Sequence, residues 1–176
     1  MLRIERVIAI DPGKLTGQAV MERYRDDENG VHEIRLLESV ETSPDETIPW
    51  FRERYRKYEL DVEKNVVGHL PMRVVMESFR ITTRTGEKSQ EASWALRTMG
   101  AVEQACRDLG YPVEAIQEFS PDKKKAFPNA RLKKLGLWHV GGKGHALDAI
   151  RHATLYLAQT GMLPAMANLP DKGEIL

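Results

Sequence analysis

The chain has 176 residues, 41% hydrophobic and 30% charged, with 26 Lys and Arg against 26 Asp and Glu and therefore no formal net charge. That length suits one domain with a full core and is short for two, and neutrality means that a polyanion must be met by local charge asymmetry rather than by the overall balance. The single cysteine, Cys106, excludes an intramolecular disulfide framework and any multi-cysteine metal centre, and fits a reducing compartment. Residues 1–6 carry charges too closely spaced for a secretory signal, and no apolar run approaches a membrane span. The expectation is a soluble, cytoplasmic protein with no membrane partner.

The first element is Val7-Ile8-Ala9-Ile10, four apolar residues that read as a strand buried on both faces and stop at a carboxylate, Asp11. Pro12 cannot donate into a ladder and Gly13 tolerates φ > 0, so the chain turns there and exposes the Asp11 side chain at the sheet margin. Residues 16–24 partly alternate, a polar cluster follows, and Asn29-Gly30 before the strand-like run 32–40 reads as a hairpin. The opening is thus three consecutive strands, expected to be antiparallel. Pro44 and Pro49 bracket the approach to a charged helix over about 50–64, in which Phe51, Tyr55 and Tyr58 share a face directed at the sheet. A second short apolar strand, Arg73-Val74-Val75-Met76-Glu77-Ser78-Phe79, brings a second acid to a strand end.

A polar loop over 80–89 leads into the clearest amphipathic helix, 89–109. Ala92, Ala95, Leu96, Met99, Val102, Cys106 and Leu109 recur there at three- and four-residue intervals, and Gly110 stands at the C′ position. Residues 113–119 read as a fifth strand, and Ser120-Pro121-Asp122 as a cap and first helical turn. From there to Lys143 the basic residues Lys123, Lys124, Lys125, Arg131, Lys133, Lys134 and Lys143 face one acid, Asp122, whereas 31–64 is rich in Glu and Asp. The neutral molecule is therefore expected to carry one positive face. Gly141-Gly142-Lys143-Gly144 reads as a hinge. The last helix begins near His145, with Leu147, Ile150, Thr154 and Leu157 on one side and small Ala146, Ala149 and Ala153 permitting close approach to a sheet. This gives one domain over 1–160 and an irregular tail over 161–176.

Asp11 and Glu77 end two apolar strands, and His145 and Asp148 stand at i and i+3 on one face of the last helix. If the two strands are neighbours, three carboxylates and an imidazole converge. Like charges that close repel in a desolvated cleft, and divalent cations are the usual remedy. Hard oxygen ligands suit Mg2+ or Mn2+, and two such ions about 3.5–4 Å apart can activate water and stabilise the leaving oxygen in phosphodiester cleavage. Asp11, Glu77, His145 and Asp148 are the candidate catalytic and metal-binding residues. His152, one turn beyond Asp148 on about the same face, is read as a supporting residue.

These residues resemble the RuvC-like Holliday junction resolvases of the RNase H-like nuclease superfamily, especially their bacteriophage members. The likeness lies in Asp11-Pro12-Gly13 with Thr16-Gly17, in Val74-Val75-Met76-Glu77-Ser78-Phe79, in Ala95-Leu96-Arg97-Thr98-Met99-Gly100 and in His145-Ala146-Leu147-Asp148-Ala149-Ile150, in family order over most of the chain. The resemblance implies an α/β fold with a five-stranded mixed sheet ordered 3-2-1-4-5 and flanked by helices. It also implies a homodimer, with the helix over 89–109 as the dimer contact, and catalytic acids at Asp11, Glu77 and Asp148, with His145 where some members have Asp. The implied activity is two-metal-ion cleavage of branched DNA, most simply paired nicking of a four-way junction, in the cytoplasm of a host if the protein is phage-encoded.

DNA contact is assigned to Arg80, Arg84 and Lys88 on the loop beside the acids, to Lys123, Lys124, Lys125, Lys133, Lys134 and Lys143, and to Phe79 as a residue that could stack on an unpaired base. Other readings are a fork or flap nuclease, a ribonuclease acting on RNA–DNA hybrids, and a junction-binding protein without activity. The Asp-x-Gly-x-x-Thr-Gly spacing from Asp11 to Gly17 also occurs in actin-like and sugar kinases, but those folds need two such domains and a second phosphate loop.

Overall fold

The computed structural model describes residues 2–26, 28, 29, 31–63, 68–79, 89–138 and 144–160. One five-stranded sheet organises them, in the order β3-β2-β1-β4-β5. Its strands are β1 (Leu2–Asp11), β2 (Thr16–Asp26), β3 (Val31–Thr42), β4 (Arg73–Glu77) and β5 (Gln117–Phe119). The first three form the expected antiparallel meander, while β4 and β5 run parallel to β1, so the sheet is mixed. The helices are α1 (Pro44–Glu63), α2 (Ser89–Asp108), α3 (Asn129–Lys134) and α4 (Gly144–Gln159).

Strand alternation splits the core in two. Val7 and Ala9 of β1, Ala19 and Met21 of β2 and Val75 of β4 pack with Ala149, Ile150, Ala153 and Leu157 of α4. Their neighbours Ile8, Ile10, Val20, Val74 and Met76 pack with Phe51, Tyr55 and Tyr58 of α1 and with Val102, Ala105 and Cys106 of α2. The helical spacing of both apolar sets thus corresponds to real buried faces. Because side chains alternate, Asp11 shares a face with Val7 and Ala9, and Glu77 shares one with Val75. Both acids are sent to the α4 side.

Several boundaries differ from expectation. Helix α1 begins at Pro44, six residues before the predicted start, and contains Pro49. Ser43 caps it: the Ser43 amide and hydroxyl donate to Glu46 Oε2 at 3.1 and 2.7 Å, and the amides of Glu46 and Thr47 donate to the Ser43 carbonyl. This capping box nucleates the helix before Pro49 costs it an interior bond. The predicted fifth strand over 113–119 is a 3-10 turn at Val113–Ala115 followed by only three strand residues. After Pro112 the amides of Ala115 and Ile116 bond back to the carbonyls of Pro112 and Val113, which keeps those residues out of the ladder. The segment after Ser120 is likewise a 3-10 turn, Pro121–Ala126, in which the serine side chain makes no capping bond. Helix α2 ends as expected: Gly110 has φ +77°, and the amides of Gly110 and Tyr111 close on the carbonyls of Arg107 and Cys106 in a Schellman motif. Among the described residues no helix is long and apolar enough to cross a membrane.

Candidate functional site

The parallel ladder between β1 and β4 pairs Ile10 with Met76, so Asp11 and Glu77 are the next residue on each of two adjacent strands. Asp11 is 2% exposed and ends its strand against Gly17 of β2. That glycine is where α4 lands: a Cβ at Gly17 would lie 1.9 Å from the His145 carbonyl oxygen and 2.6 Å from the Ala146 nitrogen. Only the missing side chain lets the helix start so close to the sheet. The start is held from β3 as well, where Glu41 Oε1 accepts from the Ala146 amide at 3.4 Å, a carboxylate suited to a helix N-terminus.

Landing α4 there aligns three of its side chains with the acids. His145 Nδ1 bonds Asp11 Oδ2. Asp148 is held by Lys124 and by Arg151, with Lys124 Nζ 2.6 Å from Asp148 Oδ2 and 3.2 Å from Glu77 Oε2. His152, fully buried, places Nε2 2.7 Å from Glu77 Oε2. Asp11, Glu77 and His152 each offer one ligand atom, and these atoms lie within 4.8 Å of one another.

Electrostatics divides the two strand-end acids. Burial pushes the Asp11 carboxyl up to about 6, against the bond from His145, and the neighbouring Glu77 charge adds to the rise. Burial alone would raise Glu77 too, but bonds from His152 and Asp11 and the Lys124 ammonium bring it down to about 2. The two carboxylates therefore titrate apart, Asp11 holding its proton up to about pH 6 while Glu77 is ionised above about pH 2. His145 is raised by its bond to Asp11, against partial burial. Two carboxylates and an imidazole with ligand atoms within 4.8 Å of one another form a donor set suited to a hard divalent cation such as Mg2+ or Mn2+.

All four predicted site residues lie in this cleft: Asp11 and Glu77 side by side, His145 on Asp11, and Asp148 joined to Glu77 through Lys124. Two participants were not assigned these places from sequence. Lys124 stood among the surface lysines, although it bridges two acids, and His152 was read as supporting, although its i+7 spacing from His145 already placed it on the cleft face. Among the proposed DNA contacts, Lys123 and Lys134 are exposed, Lys125 pairs with Asp122 at 2.8 Å, and Lys133 lies 4.8 Å from the Trp138 ring centre. Phe79 is half-buried just past the Glu77 strand end. Arg80, Arg84, Lys88 and Lys143 lie outside the described residues.

Solved structures share this architecture. The chain aligns with Thermus thermophilus RuvC over 89% of its length and 97% of the other chain, at 25% identity and a TM-score of 0.50. Against T. thermophilus RuvC in complex with Holliday junction substrate the figures are 90%, 97%, 23% and 0.50. The fowlpox virus Holliday junction resolvase aligns over 88% of this chain and 99% of its own, at 11% identity and a TM-score of 0.43. No protein-family model and no curated protein matches the sequence. The fold is the RuvC-like, RNase H-like one that the motifs suggested.

Proposed function

We propose that this chain is a divalent-metal-dependent endonuclease that resolves four-way DNA junctions by paired nicks, working as a homodimer. The observation that carries the reading is the placement of Asp11 and Glu77 at the ends of adjacent parallel strands, beneath a helix that adds His145, Asp148 and His152. It stands on a fold shared with T. thermophilus RuvC, which has been solved with a Holliday junction substrate.

Asp11, Glu77, His145 and Asp148 would hold two Mg2+ or Mn2+ ions. Such ions supply a water nucleophile at neutral pH and charge stabilisation for the departing oxygen of a phosphodiester. The chain's own contribution is to aim and to hold. Asp11 is fixed by its strand and by His145, so its carboxylate presents one orientation to the cleft. Lys124 keeps a positive charge at Glu77 and Asp148 and, as one of the lysines assigned to DNA, would meet a phosphate brought to the acids. Lys123 and Lys134, on the exposed surface beyond the cleft, extend that contact along the backbone, a mode that positions DNA without reading bases. A four-way junction has two-fold symmetry, so two symmetric cuts call for two cleft copies related by a two-fold axis.

The test is cleavage of end-labelled four-way junction, fork, flap, linear duplex and RNA–DNA hybrid in Mg2+, Mn2+ or EDTA, beside Asp11→Asn. Metal-dependent paired nicks in the junction, reduced at least about 100-fold in the variant, are expected, equivalent to about 3 kcal/mol of barrier. A preference for forks or flaps would move the branch assignment, a preference for the hybrid would make the protein a ribonuclease, and binding without cutting would remove the nuclease reading.

A further inference from the structure

His152 is costly to the fold unless it has a use. Its ring is fully buried and, among the described residues, Nδ1 has no hydrogen-bond partner and the one polar contact is Nε2 to Glu77 Oε2 at 2.7 Å. A buried imidazole satisfied on one side only is a poorer core residue than an apolar side chain of similar volume. Yet its placement is tightly determined. Ala149 and Ala153, each fully buried, bring α4 close to the sheet. The ring lies parallel to Phe119 at an interplanar angle of 5° and a centroid distance of 6.2 Å. Phe119 is itself the register partner of Glu77 on β5. The ring plane is therefore set by the strand beside Glu77, and the helix sets its height.

We propose that His152 is a positioning residue for Glu77. An ionised carboxylate only accepts, so Nε2 is the donor in this bond. Donation to Oε2 fixes the rotation of the Glu77 carboxylate and leaves its other oxygen for a cation shared with Asp11. Hydrogen bonds of this kind behind a ligand are worth about 10–100-fold in metal affinity or activity. The inference rests on the metal-dependent reading of the cleft.

The test uses the full chain, His152→Met and His152→Gln, and Mn2+ as the probe, read by electron paramagnetic resonance without DNA, with junction cleavage measured separately. His152→Met removes the donor and keeps the volume, so it should melt no lower than the parent while its Mn2+ dissociation constant rises about 10–100-fold. His152→Gln restores an N–H near the Nε2 position and should recover most of that affinity. Unchanged Mn2+ affinity in His152→Met would overturn the inference, as would a parent that binds no Mn2+. A His152→Gln loss as deep as that of Met would overturn it in favour of direct ligation by the imidazole. If the parent binds Mn2+ with the expected pattern but cuts no junction, the role of His152 stands and the resolvase reading falls.

Discussion

At the scale of the residue, Asp11 concentrates the physics of the site. Its folded pKa of about 6 lies above the ordinary 3.8, so the protonated form is favoured by folding. The stabilisation is complete below about pH 4 and is lost as pH rises through 6. His145, also raised, has the same sign: its contribution is present below its ordinary value of 6.5 and lost above its folded one. Glu77, lowered to about 2, loses its contribution only in strong acid and is flat over this range. The metal-free protein should therefore melt lower at pH 8 than at pH 5. Asp11→Asn, which mimics the protonated acid, should close most of that gap, to which Asp11 contributes about 1.4 kcal/mol because part of its shift is already lost at pH 5. Mg2+ should raise the melting temperature of the parent more at pH 8 than at pH 5 and leave the variant unmoved. Calorimetry at the two pH values decides it, and a parent equally stable at both would contradict the raised titration of Asp11. Asp11 was legible because a four-residue apolar run ending in Asp-Pro-Gly has few other uses. The direction of its charge balance was not, because burial outweighs the bond from His145, a residue 134 positions away.

At the scale of the element, the site exists because α4 can touch the first hairpin. Gly17→Ala puts a methyl into the backbone of His145 and Ala146, atoms that cannot yield by changing a rotamer. We expect a loss of about 3 kcal/mol or more in denaturant unfolding, with cleavage falling further than stability because His145 is pushed off Asp11. In the monomeric chain, Gly100→Ala on the exposed face of α2, where a Cβ would meet nothing within 4 Å, is the matched control and should be neutral or stabilising by up to about 1 kcal/mol. Equal losses in the two would show that helix docking is not what Gly17 serves. The antiparallel meander and the two helix faces could be read from sequence because alternation, turn residues and three-four spacing are local, whereas the strand order followed from the family resemblance alone. Clearance between β2 and α4 could not, since Gly17 and His145 are neighbours only in the fold. The early start of α1 was legible in Ser43-Pro44-Asp45-Glu46, a capping box that Pro49 overshadowed.

At the scale of the whole molecule, the proposed paired cutting would need a second cleft, and the family resemblance assigns the contact between copies to α2. One side of it packs Ala95, Thr98, Val102, Ala105 and Cys106 inward, while Leu96 remains 39% exposed beside exposed Arg97, Gly100 and Ala101. A leucine flanked by small residues on a helix allows two helices to approach closely, whereas a glutamate there would place like charges against each other across a two-fold axis. Leu96→Glu points away from the core and should cost the monomer fold little, within about 0.5 kcal/mol. Its effect should appear in sedimentation as conversion from dimer to monomer. On a four-way junction closed into a cruciform plasmid, the parent should convert supercoiled DNA directly to linear product by two nicks within one binding event. The variant should yield nicked circles first, with Mn2+ affinity unchanged because no metal-binding residue lies on α2. Linear product formed at the parental rate by a monomeric variant would mean that one cleft makes both cuts in turn. A parent that sediments as a monomer would place the second cleft elsewhere than on this helix.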